Sequence, residues 1–283
     1  MKKILVSLFS RMAIANAIAI LIGGCSNNKT PLPSTTVSVK SVASPQKIVY
    51  PSKTIHVFVA LCDNKYQGIV PVSQKVGNGQ DPVNNLYWGW GYGVKTHFSK
   101  SNHWTLVRKQ QGTYPILERL LFKHKSSGFY MVADAYDGRT MKECIDAYMK
   151  STAGITVDTL MNGRDTIGIN GNAKMTAFVG HNGLMDFSLE NNYTNADGRV
   201  RDCIILACFS KNYFSPFLKT AKANPVLWTT NLMGPEAYTL HDALDAYIKG
   251  ANKEVIQEKA ATVYSHYTKC SVKAAKKLLV TGW

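Results

Sequence analysis

The chain has 283 residues, 45% hydrophobic and 18% charged, with 33 lysines and arginines against 18 acidic residues. This composition excludes a collagen-like or low-complexity disordered chain and leaves enough apolar material for one substantial core. The formal charge of +15 suits an anionic lipid or polymer surface, but the lysines are dispersed and form no arginine-rich run, so no nucleic-acid partner is expected.

Residues 1–24 combine Lys2-Lys3, an apolar run and small residues ahead of Cys25. That is the layout of an export signal, to be set aside from the fold. Arg11 breaks the run, which is short for a bilayer span. Ile22-Gly23-Gly24-Cys25 resembles a bacterial lipobox, which implies a mature chain beginning at a lipidated Cys25, on a membrane surface outside the cytoplasm. Ser26 after it is similar to the pattern for sorting to the outer membrane, facing the periplasm. Without Lys2, Lys3 and Arg11 the charge is +12. Residues 25–53 are rich in Ser, Thr, Pro, Asn and Lys and are expected to be a flexible tether. Residues 54–283 then form one domain. Beyond Cys25 there are cysteines at 62, 144, 203, 208 and 270. An odd count leaves at least one thiol unpaired, and no CxxC pair points to zinc or a redox centre. No metal and no cofactor is expected.

In chain order, Ile55–Leu61 reads as a buried strand by its apolar density and β-branched content. A loop rich in Gly, Pro, Asn and Asp follows. Asn85–Phe98 suits a helix, with Leu86-Tyr-Trp-Gly-Trp-Gly-Tyr92 packed against the core or lining a pocket. His103–Lys109 is a short strand, and Pro115–Lys125 an amphipathic helix with Ile116, Leu117, Leu120 and Leu121 inward. Phe129–Ala135 is a second core strand, followed by a helix over Thr140–Lys150 and a loop over 151–172. Lys174–Val179 is the third core strand and Cys203–Cys208 the fourth. A helix at 212–222, a strand at Pro225–Thr230 and helices near 238–249, 253–268 and 271–280 complete the chain. Strands alternating with helices predict an α/β fold, a three-layer sandwich around a mostly parallel sheet, with functional groups on the loops at the carboxyl ends of the strands.

That rule selects one pair of residues. The third core strand is followed at once by Gly180-His181-Asn182-Gly183, and the fourth ends in Ala207-Cys208. If these strands are parallel neighbours, His181 and Cys208 emerge together. An imidazole can take the thiol proton and later protonate a leaving amine, and glycines beside it let a backbone N–H approach an oxyanion. Asp63, Asp81, Asp134 and Asp137 follow other strands and are candidates for binding a substrate or orienting His181.

Strand-His followed by strand-Ala-Cys, late in an α/β chain, resembles the caspase-like cysteine peptidases: caspases, metacaspases, legumain, gingipains, clostripain and CHAT proteins. The loop ending Gly79-Gln-Asp81-Pro-Val-Asn-Asn-Leu86 and the stretch Asp134-Ala-Tyr-Asp-Gly138 are similar to segments in the same order of that fold. The resemblance implies a caspase-like sandwich and hydrolysis of a peptide bond in a peptide or protein of the envelope, without a cofactor. It implies Cys208 as nucleophile, His181 as general acid/base, and Gly180, Asn182 and Gly183 as the turn or oxyanion segment. Asn182 stands where many members carry glycine, and Leu206 where metacaspase-type enzymes carry an acidic residue. The alternative is the same fold without the chemistry, as a binding or scaffolding lipoprotein.

Overall fold

The computed structural model describes residues 47–48 and 53–283. The expected export signal, Cys25 and most of the expected tether lie outside the described residues. An eight-stranded sheet forms the centre. Its strands are β2 (Thr54–Ala60), β3 (Trp104–Gln111), β4 (Ile116–His124), β5 (Tyr130–Tyr136), β8 (Met175–Val179), β9 (Asp202–Leu206), β10 (Asn224–Thr229) and β11 (Leu279–Val280). The remaining strands, β1 (Lys47–Ile48), β6 (Val157–Asn162) and β7 (Asp165–Asn170), make a separate three-stranded sheet.

The large sheet has the order β11-β10-β9-β8-β2-β5-β4-β3. β5, β2, β8, β9 and β10 run parallel, while β4 and β3 on one edge and β11 on the other are antiparallel. Parallel strands need long crossovers, supplied by α2 (Met141–Thr152) on the path from β5 to β8 and α3 (Ser210–Thr220) between β9 and β10. The strand order reverses at β2, since the chain first adds β5 on one side and then β8 on the other. Loops leaving β2 and β8 therefore diverge and open a crevice at the carboxyl edge.

Alternation along the strands sorts the core into two faces. Ile55, Val57, Val59 and Leu61 pack with Phe98, Tyr238, Leu244 and Ile256, which belong to α1 (Val94–Ser99), α4 (Ala237–Ile248) and α5 (Lys253–Thr268). α6 (Val272–Leu278) joins them through Ala275. On the other face Phe58, Ala60, Phe178 and Ile205 pack with Ile145 and Tyr148 of α2 and with Phe214 and Leu218 of α3. Helices thus cover both faces of a mostly parallel sheet. No helix among the described residues is long and apolar enough to cross a membrane.

The structure corrects the sequence reading at five places. Residues 115–125 form β4, not a helix. The i, i+1, i+4 spacing of Ile116, Leu117, Leu120 and Leu121 imitates a helical stripe, but Leu120 and Phe122 face one core while Leu121 joins Tyr130, Val132, Ile167 and Ile169 on the opposite side. Residues 157–170 are a β-hairpin rather than a loop. Asn162-Gly163 supplies its turn, with Gly163 at φ 60°, and the exposed residues of β6 hide the alternation that marks a strand. Of 85–98 only Val94–Ser99 is helical. Within the expected tether, Lys47–Ile48 pairs in parallel with Asp165–Thr166.

Asp134 is the fifth correction, because it lies inside β5 opposite Phe58 and not at the rim. Its fully buried carboxylate accepts from Arg119 Nε and Nη2, both at 2.6 Å, and from His56 Nε2 at 3.0 Å. His56 Nδ1 accepts the Asn170 N–H at 2.9 Å, so Nε2 carries the proton and donates. Burial opposes ionisation of Asp134, but the Arg119 and His56 hydrogen bonds outweigh it and hold the carboxyl below its usual range. The group ties β4, β5, β2 and β7 together.

Candidate active site at the carboxyl edge of the sheet

β8 and β9 are hydrogen-bonded parallel neighbours, with Val179 opposite Leu206. His181 and Cys208 each lie two residues beyond that last matched pair, so they leave the sheet at equivalent positions. Both line one cleft of about 290 Å³, together with Tyr87, Gly180 and Met233. Its lips are apolar, formed by Ile69, Val70, Met185, Leu232 and Pro235, of which Val70 and Leu232 are strongly exposed.

His181 is buried. Its Nε2 meets Asp186 Oδ2 at 2.7 Å, and the same oxygen accepts the Gly68 N–H at 3.1 Å. A carboxylate can only accept, so Nε2 carries a proton and Nδ1 is the nitrogen left for proton transfer. Asp186 is absent from the aspartates singled out in the sequence. It sits after the short 3₁₀ turn Gly183–Met185, where no periodicity marks it. Its one signal is a position five residues after the histidine on the same loop.

Cys208 is half-buried. Its sulfur is 3.6 Å from Met233 O and 3.4 Å from Met233 N. Among the described residues no hydrogen bond joins the thiol to the imidazole. Directly after it, Phe209 adopts a left-handed conformation (φ 50°) and α3 begins. Such a strained turn between strand and helix costs on the order of 1–2 kcal/mol for a bulky residue. It raises Cys208 out of the sheet, with the positive end of the α3 dipole just beyond it. Cys208, Cys62, Cys144, Cys203 and Cys270 are all free thiols. Burial pushes Cys62 up to about 11 and Cys203 higher still, which makes both inert.

Asn182 has a part of its own. Its side-chain amide donates to Cys208 O at 2.6 Å and its Oδ1 accepts the Leu184 N–H at 3.2 Å, so it stitches the histidine loop to the cysteine turn. Gly180 (φ 153°) donates to Leu206 O, and Gly183 N donates to His181 O. Both glycine N–H groups are therefore engaged and cannot serve an oxyanion. Among the described residues, the N–H groups of His181, Asn182 and Cys208 have no intramolecular acceptor, and of these residues His181 and Cys208 line the cleft while Asn182 is fully buried.

The remaining aspartates have other work. Asp63 and Asp137 do reach the carboxyl edge, where Gln80 Nε2 donates to both at 2.8 Å. Asp63 also accepts from the N–H groups of Lys65 and Tyr66, and Asp137 pairs with Arg139 at 2.6 Å. They pin the loops after β2 and β5. Asp81 caps a turn through Val83 and Asn84. Of the aromatic run, Tyr87 and Trp88 are buried while Trp90 and Tyr92 are half exposed, and only Tyr87 reaches the cleft. Comparison with protein-family models, with curated proteins and with solved structures finds no match to this chain.

Proposed function

We propose that this chain is a cysteine hydrolase of caspase-like fold, held on the bacterial envelope by a lipid at Cys25, that cleaves a peptide bond of an envelope peptide or protein. The observation that carries the proposal is the convergence, at equivalent ends of adjacent parallel strands and in one cleft, of a free thiol and a histidine already oriented by a carboxylate.

In the proposed reaction His181 Nδ1 takes the proton of Cys208 as the sulfur adds to the substrate carbonyl. Asp186 holds the ring and stabilises the imidazolium that forms. The Cys208 N–H group faces the oxyanion. The imidazolium then returns its proton to the departing amine, the C–N bond breaks, and a thioester remains. Water, deprotonated by the same imidazole, hydrolyses it and regenerates the thiol. The sulfur must turn away from Met233 to begin, a rotamer change in keeping with the loose geometry of unliganded sites. The lips of Val70, Leu232 and Met185 favour an apolar side chain beside the scissile bond, with no carboxylate placed for a basic one.

The Met233 contacts also favour a second reading, a binding lipoprotein whose thiol is satisfied by backbone. Site-specific alkylation decides between them. At neutral pH, iodoacetamide followed by peptide mass mapping should label Cys208 at least tenfold faster than Cys203, and His181→Ala should remove most of that excess. Cleavage of a peptide library should vanish in Cys208→Ala with the fold intact. Equal labelling in wild type and His181→Ala, with no cleavage, would leave the binding reading standing.

A further inference from the structure

Opposite the cleft, near the amino ends of the parallel strands, four of the seven histidines of the chain gather. His124 ends β4 and faces Trp104 at the start of β3, while His103 directly precedes that strand. Ring centroids of His103 and His241 are 5.6 Å apart, those of His97 and His241 5.2 Å, and those of His103 and His124 6.3 Å. His241 and Asp245 lie one turn apart on α4 and share a face. Ligand atoms of His103, His241 and Asp245 all fall within 4.8 Å of one another.

The tautomers are fixed by neighbours. His241 Nδ1 is 2.8 Å from Asp242 Oδ1, an acceptor only, so Nδ1 carries the proton and Nε2 a lone pair. Nε2 lies 2.8 Å from Ser101 Oγ, whose oxygen also accepts the His103 N–H at 3.0 Å, so the hydroxyl proton points at Nε2 and turns away when that lone pair takes a metal. A carboxylate that holds the far nitrogen of an imidazole is the usual outer partner of a metal-binding histidine. His103 Nδ1 touches Asp245 Oδ2. Asp245 itself is nine-tenths buried, yet its other oxygen, Oδ1, has no hydrogen-bond partner, and His124 Nε2 stands 3.6 Å from it. The contact with His103 accounts for one oxygen of Asp245 and leaves the other buried without a hydrogen bond, which is costly.

We propose that His103, His241 and Asp245 form a binding site for one divalent transition-metal ion, zinc above all. Two imidazoles and one carboxylate suit zinc and exclude a hard ion such as calcium, which takes six to eight oxygens. Tetrahedral ligation draws three such atoms to within roughly 3.3 Å of each other. His103 has a half-exposed side chain and is free to swing. The fourth position opens into a cleft of about 370 Å³ whose walls include Lys249 and Lys259, which suits water or an anionic ligand there. The ion would fasten the start of β3 to α4.

Calorimetric titration of zinc into the untagged, EDTA-treated full-length protein carrying Cys208→Ala and Cys270→Ala tests the site apart from the two partly exposed thiols. One zinc per chain is expected, with no heat from calcium. His103→Ala and Asp245→Asn should each weaken Kd at least tenfold. Cobalt should give visible absorption that His103→Ala removes. Asp245 is buried, so the half-exposed His103 is the variant that keeps the fold, checked by circular dichroism. Failure of the parent to bind zinc, or equal Kd in the parent and His103→Ala, would overturn the site.

Discussion

A single carboxylate oxygen governs the geometry of the cleft. Asp186 Oδ2 receives both the His181 imidazole and the Gly68 N–H, so the loop after β2 and the loop after β8 meet at that atom. The meeting is tight, because a Cβ on Gly68 would fall 2.4 Å from Asp186 Oδ1. Asp186→Asn should therefore lower kcat by about 10²- to 10⁴-fold, since the wrong tautomer and orientation of the ring follow. Gly68→Ala should produce a smaller loss of the same kind with little change in KM. Steady-state kinetics on a cleaved library peptide reads both, and full kcat in Asp186→Asn would remove the orienting role. At this scale His181 and Cys208 were legible because strand ends can be counted in the sequence, and the register of Val179 with Leu206 preserves the count. Asp186 was not, since it lies in a segment without period and is brought to the ring by a turn.

Among the elements, the irregular stretch leading into β9 is anchored by Arg201. Its buried guanidinium donates to Gly171 O at 2.7 Å and to both oxygens of Asp197, at 3.1 and 2.5 Å, so the end of the β6–β7 hairpin and the entry to β9 are fixed together. Burial raises the Asp197 carboxyl, but its hydrogen bonds to Arg201 and Arg199 prevail and bring it down to about 2 from 3.8. A carboxyl depressed in the folded state adds stability that is fully present above its ordinary value and lost as the pH falls through the folded one. Urea unfolding should accordingly find Asp197→Asn less stable than wild type at pH 6, the difference narrowing between pH 4 and 2 and gone below. A constant difference across that range would contradict this. Core strands and long helices could be read from apolar runs and 3.6-residue stripes. β4 could not, because its buried Glu118 and partly buried Arg119 find partners elsewhere in the chain, Lys95, Lys109 and the Trp88 N–H for one and Asp134 for the other.

For the whole molecule, the α/β class and the parallel centre followed from the alternation of elements, whereas the antiparallel edges and the small β1-β7-β6 sheet depend on pairings that no local pattern encodes. The proposed anchor belongs to this scale too. A chain joined to lipid at Cys25 should partition with membranes and carry palmitate label in cells, and Cys25→Ser should abolish the label. If Cys25→Ser retains the label, the lipobox reading fails. A net charge of +12 over residues 25–283 adds attraction to anionic headgroups, which salt should weaken.

The parallel pairing of β8 with β9 has one more consequence. Each half of the pair belongs to a different stretch of chain, joined by the excursion 184–201, much of it exposed. A break there would leave two fragments, one ending after the histidine and one beginning before the cysteine, neither competent alone. The proposed hydrolysis would then report on the reassembly of the sheet, rising with the concentration of the fragments.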